Sequence, residues 1–166
     1  MVAARRWTWL WIWLAVVASD QATKLAVEFW TPESYLREVI PGFFNLVHRH
    51  NRGVAFGMLS QFDWPWLGPL LIVFALAAVG FIAWLLATGR AGGWRSVWGL
   101  ALLAGGAAGN VIDRLLHGGV IDFLEFHWRQ YYYPAFNVAD TAIVVGAGLV
   151  MLELIFDKGH SKEGEA

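Results

Sequence analysis

The chain has 166 residues, 58% of them hydrophobic and 16% aromatic, with a formal net charge of -1 and a mean hydropathy of +0.50. One compact water-soluble domain would have to expose too much of that apolar surface. The near-zero charge gives no pull toward nucleic acid, and the lack of cysteine removes disulfides, thiolate nucleophiles and cysteine zinc sites together.

Four stretches are long and apolar enough to cross a hydrocarbon core, which takes about 20 residues. The first, about 7–27, follows Arg5-Arg6 and holds Trp7, Trp9, Trp11 and Trp13, suited to the lipid interface and to packing. Ala15-Val16-Val17-Ala18-Ser19 has the look of a signal-peptide cleavage site. The run is nonetheless read as a span, because it is packed with Trp and flows into Asp20-Gln21-Ala22-Thr23-Lys24. Ser19 and Lys24 raise a serine–lysine hydrolase, but five positions apart on a helix they point from poorly aligned faces.

Between the first two spans, Pro41-Gly42 signals a turn. Phe44, Leu46 and His48 then alternate as in a strand. Asn51-Arg52-Gly53 makes a further turn and Val54-Ala55-Phe56 resumes an extended pattern, so a small hairpin on the membrane surface is predicted here. His48 and His50 share a strand face and raise a metal site with His117 or His127. No acidic or sulfur ligand is spaced to complete the set, and they are read as surface histidines.

The second and third spans, about 66–88 and 94–115, are joined by a Gly-Arg-Ala-Gly-Gly linker. Gly105 and Gly109 lie four apart on one helical face, which permits close approach of membrane helices. Asn110, Asp113 and Arg114 share a face as well. Mutual pairing of Asp113 with Arg114 is the preferred reading of those two. His117-Gly118-Gly119 breaks the helix before Val120-Ile121-Asp122-Phe123-Leu124, a strand-like run in which Asp is depleted. A solvent-facing position is the bland account of Asp122. The fourth span, about 138–156, starts at Asn137 with Asp140 three residues on, as in a capping box. Cap and catalyst both remain open for that pair.

An even number of spans puts both termini on one side. That side carries Arg5, Arg6, Arg90, Arg95, Lys158 and Lys162, six of the twelve basic residues, in short segments, and is therefore read as cytoplasmic. Segments 28–65 and 116–137 then lie outside. The expected architecture is an all-α membrane protein with a small β element: four transmembrane helices and an extracytoplasmic β-cradle or hairpin, one domain over 1–166. Asp20, Asp113, Asp122 and Asp140 all fall on the outer side, and a carboxylate at the edge of hydrocarbon reads by default as a functional site. A proton-coupled transporter would instead spread acids through both halves of the bilayer, whereas Glu153 is the only acid deep on the cytoplasmic half. A scaffold with the acids as caps and ion pairs is the remaining alternative.

Five blocks occur in order: Asp20-Gln21-Ala22-Thr23-Lys24, Asn51 through Gly57, Gly105 through Arg114, Val120-Ile121-Asp122-Phe123, and Phe136-Asn137-Val138-Ala139-Asp140. Together they resemble the signature blocks of the lipoprotein signal peptidases, or signal peptidase II, over essentially the whole chain. Val54 departs conservatively from the Ala common there. The resemblance implies an aspartic endopeptidase of the bacterial inner membrane with four transmembrane helices and a periplasmic β-cradle; a monomer without cofactor or metal is the expectation. Its substrates would be lipid-borne prolipoproteins, cut just before a diacylglyceryl-modified cysteine. Asp122 and Asp140 align with the catalytic pair. Asp20, Asn51, Gly53, Asn110, Arg114 and Asn137 align with supporting or substrate-contacting positions, while Asp113 is kept as structural, like Gly105 and Gly109. Residues 51–57 are expected to close over the site.

Overall fold

A computed structural model of the protein describes residues 7–53 and 66–160, and side chains as far as residue 156. Its elements in chain order are α1 (Thr8–Trp30), β1 (Leu36–Ile40), β2 (Phe44–Asn51), α2 (Leu67–Thr88), α3 (Trp94–His117), β3 (Val120–Trp128), β4 (Tyr131–Tyr132) and α4 (Val138–His160). The architecture is mostly helical with one small antiparallel sheet. Among the described residues, α2, α3 and the Val138–Phe156 part of α4 are long and apolar enough to cross a membrane. At 23 residues, α1 has the length, but Asp20, Lys24 and Glu28 interrupt its apolar run.

α3 is the central helix, packed against α1, α2 and α4. Its glycines explain how so closely. A methyl group at Gly105 would lie 2.9 Å from Val16 Cβ on α1, and one at Gly109 would strike the Asp20 carboxylate. Gly106 faces the other way, where a methyl group would overlap the Ala139 carbonyl oxygen and sit 2.8 Å from Ile143 Cγ1 on α4. A backbone carbonyl cannot retreat as a flexible side chain can. Gly106→Ala is therefore expected to lower stability by about 1–3 kcal/mol through overpacking. Gly148→Ala serves as the control, since nothing lies within 4 Å of a methyl group there. Equal thermal midpoints for the two variants would contradict this packing.

The sheet order is β1-β2-β3-β4, with β2 paired on both sides. β2 pairs backward with β1, Leu36 opposite Val47 and Ile40 opposite Phe44, around the Pro41–Phe43 turn. Asn51 ends the strand, and the extended pattern expected at residues 54–56 lies outside the described residues. β2 also pairs with β3, with a register shift between Leu46 and Arg49. That bulge spoils the simple alternation, so Val47 and His48 are both buried. His48 is 2% exposed, which corrects its reading as a surface histidine. Val27 of α1, Ile121 and Phe123 of β3, and the flanking Leu46, Leu124 and Val138 form the apolar seat that fixes the sheet on the helix ends. Gly118, at φ 70°, caps α3 and turns the chain directly into β3.

Candidate active site

Asp122 arrives on a strand and Asp140 on the first turn of a helix. Both line one cavity of about 330 Å³, together with Asn51, Asn110, Arg114, Val120 and the apolar Leu71, Phe74, Ala75, Ala107 and Ile143. Asp122 is 3% exposed, which removes the solvent-facing account of it. Its neighbours in β3, Val120 to Phe123, are buried on both faces of the strand.

Three asparagines hold the two carboxyls. Asn51 Nδ2 donates to Asp122 Oδ2 at 3.0 Å, and Asn137 Nδ2 donates to Asp122 Oδ1 at 2.8 Å. Asn110 Nδ2 donates to Asp140 Oδ1 at 2.8 Å. Asn137 Oδ1 meanwhile accepts the Asp140 backbone N–H at 2.9 Å. Asn137 is thus a helix cap and a carboxylate ligand at once, and capping the helix leaves the Asp140 side chain free to face the cavity. Cap and catalyst were never exclusive alternatives.

Burial pushes the Asp122 carboxyl up to about 7, and the nearby Asp140 carboxylate pushes the same way against the amide hydrogen bonds that oppose it. A carboxyl in this range holds a proton that neutral water can remove, which suits general acid–base work. Sequence spacing alone carries no trace of this, because the pairing is made in space.

Behind the pair lies a buried ion cluster. Lys24 Nζ is 2.8 Å from Asp20 Oδ2, 2.8 Å from Asp113 Oδ2 and donates to Asn110 Oδ1 at 3.0 Å. Gln21 Nε2 donates to Asp113 Oδ1 at 2.9 Å, and Asp20 Oδ1 accepts the Ala139 N–H at 2.9 Å. Asp113 also accepts the Ile121 N–H at 3.2 Å, joining α3 to the strand that carries Asp122. The predicted Asp113–Arg114 pair does not form, because adjacent helical residues point in different directions. Arg114 instead donates to the Gly53 carbonyl at 3.0 Å and to the Asn110 carbonyl at 3.2 Å. Gly53 N–H in turn donates to Asn51 Oδ1 at 2.9 Å, so Arg114 and Gly53 steady the residue that holds Asp122. Lys24 and Gln21 had not been read as site residues. The available signal was that a lysine embedded in an apolar run requires partners. Ser19 donates back to Ala15 O and Val16 O, and the Ser19–Lys24 hydrolase has no geometry to support it.

The model of the "Signal peptidase (SPase) II" family matches residues 12–156. The chain belongs to the signal peptidase II family. A lipoprotein signal peptidase of Solibacter usitatus is 45% identical over 92% of this chain and 93% of its own. One from Xylella fastidiosa is 45% identical over 89% and 88%, and one from Maridesulfovibrio salexigens 43% identical over 84% and 89%. Two solved structures of bacterial membrane enzymes superpose with TM-scores of 0.83 and 0.76 at 30% and 29% identity. They cover 96% and 89% of this chain and 94% and 92% of their own. Signal peptidase II membership makes this a multi-pass membrane protein of a lipoprotein-processing protease family, and each of the five sequence blocks that carry the resemblance contributes described residues to the network around Asp122 and Asp140.

Proposed function

We propose that this protein is an aspartic endopeptidase that removes the signal peptide of bacterial prolipoproteins, cutting just before the diacylglyceryl-modified cysteine. The observation that carries the reading is the shared cavity of Asp122 and Asp140, each carboxyl held by amides. Peptide hydrolysis without a covalent nucleophile requires activation of water. Two close carboxyls cannot both ionise easily, so they share one proton and titrate as a unit. The ionised member takes a proton from water while the protonated member hydrogen-bonds the scissile carbonyl, and a proton then returns to the leaving nitrogen. Arg114 and Asn110, on the same cavity wall, are placed to hold the substrate backbone or the developing oxyanion.

In this reading α1 is the fourth span, the termini are cytoplasmic, and residues 1–166 form one monomeric domain of the inner membrane. The catalytic pair then sits at the periplasmic boundary, where both the diacylglyceryl group and the signal helix remain in lipid. Exposed apolar side chains on α2, among them Leu70, Val73 and Phe74, support contact with lipid near the cavity. Glu153, the one acid that a proton relay would need toward the other end, is beside Arg95 at 3.5 Å, which favours a simple ion pair. The test is incubation of the purified protein in detergent with a diacylglyceryl precursor and with the same precursor unlipidated. Release of a signal peptide from the first alone is the expected result, and equal processing of both would remove the lipid requirement.

The pH dependence follows from Asp122. Its carboxyl is raised from 3.8 to about 7 in the folded protein, so between those values the native state binds the proton that the unfolded chain releases. Its contribution to stability is therefore full at acid pH and is lost as pH rises through about 7. Loss of the shared proton removes the acid member of the pair over the same range. Cleavage rate and thermal midpoint are both expected to fall as pH is raised through 7. In Asp140→Asn, with the neighbouring charge gone, the fall in thermal midpoint shifts to lower pH. An unshifted midpoint profile in that variant would mean the two carboxyls do not interact.

A further inference from the structure

At the sheet-bearing end of the bundle, Glu28 of α1 meets His48 and His50 of β2, their ligand atoms all within 4.8 Å of one another. Glu28 Oε2 is 3.4 Å from His48 Nε2 and 3.6 Å from His50 Nε2. The tautomer of His48 follows from its neighbours. Thr31 has a single hydroxyl proton, which it donates to Val27 O at 2.7 Å, so toward His48 Nδ1, 3.1 Å away, Thr31 Oγ1 acts as acceptor. The Thr31 carbonyl, 3.2 Å from the same nitrogen, is an acceptor too. His48 Nδ1 therefore carries the hydrogen, and Nε2 of the neutral ring presents a lone pair. That nitrogen is buried and has no hydrogen-bond partner among the described residues. It faces a carboxylate oxygen that also offers only lone pairs. Two acceptors pointed at each other are reconciled by a cation between them, either a proton on the imidazole or a metal ion.

We propose that Glu28, His48 and His50 form a binding site for a divalent transition-metal ion, zinc foremost. Imidazole and carboxylate are borderline donors suited to such ions. Ligand atoms about 2.0–2.1 Å from a tetrahedral zinc lie roughly 3.3 Å from each other, close to the two Glu28 separations found. The Nδ1–H to carbonyl contact is the outer support that orients a metal-bound histidine. The backbone of His48 is fixed as well, its N–H donating to Tyr35 O at 3.0 Å and its carbonyl accepting from Ser34 N–H at 3.2 Å. A cavity of about 470 Å³ lined by Glu33, Ser34, Tyr35, His48 and His50 provides entry and room for a water as fourth ligand. The site is separate from the catalytic cavity, but Asn51, which holds Asp122, directly follows His50. The ion would clip the end of α1 to the strand that steadies the catalytic pair.

The test uses the full chain in detergent, stripped of metal with a chelator and freed of any affinity tag, then titrated with zinc chloride. One ion per chain is expected, with the thermal midpoint raised by upwards of roughly 5 °C at a hundredfold excess over the dissociation constant. Cobalt(II) in the same site should show the intense visible bands of a tetrahedral complex. Glu28→Gln and His50→Gln, at the two more exposed ligands, are expected to weaken binding at least about tenfold each while remaining folded and cleaving precursor without added metal. His48→Gln, at the buried position, should abolish binding. Absence of stoichiometric binding would overturn the proposal and leave an ordinary histidine–carboxylate ion pair. Binding unchanged in Glu28→Gln and His50→Gln would overturn it equally, by placing the ion elsewhere.

Discussion

Asp140→Asn is expected to insert into membranes normally and to cleave a diacylglyceryl precursor at least about 10³-fold more slowly than the native protein, because it removes one half of a general acid–base pair. The substitution is close to isosteric. An asparagine at 140 keeps an oxygen for the Asn110 amide, which now donates at 2.8 Å, and leaves the backbone cap from Asn137 untouched. What it cannot do is accept a proton from water. Asp122→Asn should be at least as damaging to the rate, and somewhat more so to stability. Both Asp122 oxygens accept from amides, and an asparagine must turn its own NH₂ toward one of those donors, at a cost of about 1–3 kcal/mol. A 10³-fold loss corresponds to about 4 kcal/mol of transition-state stabilisation. Cleavage within tenfold of native by either variant, at equal membrane content, would refute the two-carboxyl mechanism.

Lys24→Met is expected to destabilise the protein by about 3–5 kcal/mol, the scale for removing one partner of a buried ion pair. Lys24 is 2% exposed, and Asp20 and Asp113, at 0% and 1%, would both lose their cation. Methionine matches the stem of lysine in length, so lost packing is a minor part of the effect. The discriminating experiment adds Asp20→Asn and Asp113→Asn to Lys24→Met. With the stranded charges neutralised, the triple variant should regain a large part of the lost stability. A thermal midpoint for Lys24→Met within 2 °C or so of native, or a triple variant less stable than the single, would show that the cluster contributes little.

The helices were legible because crossing a hydrocarbon core imposes a length and a composition. The stretches read at 66–88 and 94–115 became Leu67–Thr88 and Trp94–His117. Asp122 stood out because a carboxylate is foreign to a strand of Val, Ile and Phe. Less visible was everything made by contact between distant segments. No spacing rule could have placed Glu28 beside His48 and His50, because it comes from a helix and the histidines from a strand. Lys24 and Asn110 are 86 positions apart, and no spacing rule joins them. The Asp113–Arg114 misreading had a different origin: opposite charges adjacent in sequence invite pairing, yet successive helical residues diverge by about 100°. Residues 36–40 were not read as a strand: Pro41-Gly42 marked the turn, but only the register between Leu36 and Val47 shows what pairs across it.

The lysine cluster also bears on how the chain is made. Asp20 and Lys24 sit one turn apart on α1 and neutralise each other at 2.8 Å as soon as that helix forms. Asp113 comes much later in the chain, on α3, and approaches the same ammonium to 2.8 Å. One lysine then faces two carboxylates, so docking of α3 on α1 gives Asp113 a cation but leaves the cluster one negative charge in excess, offset by hydrogen bonds from the Gln21 amide and the Ala139 and Ile121 N–H groups.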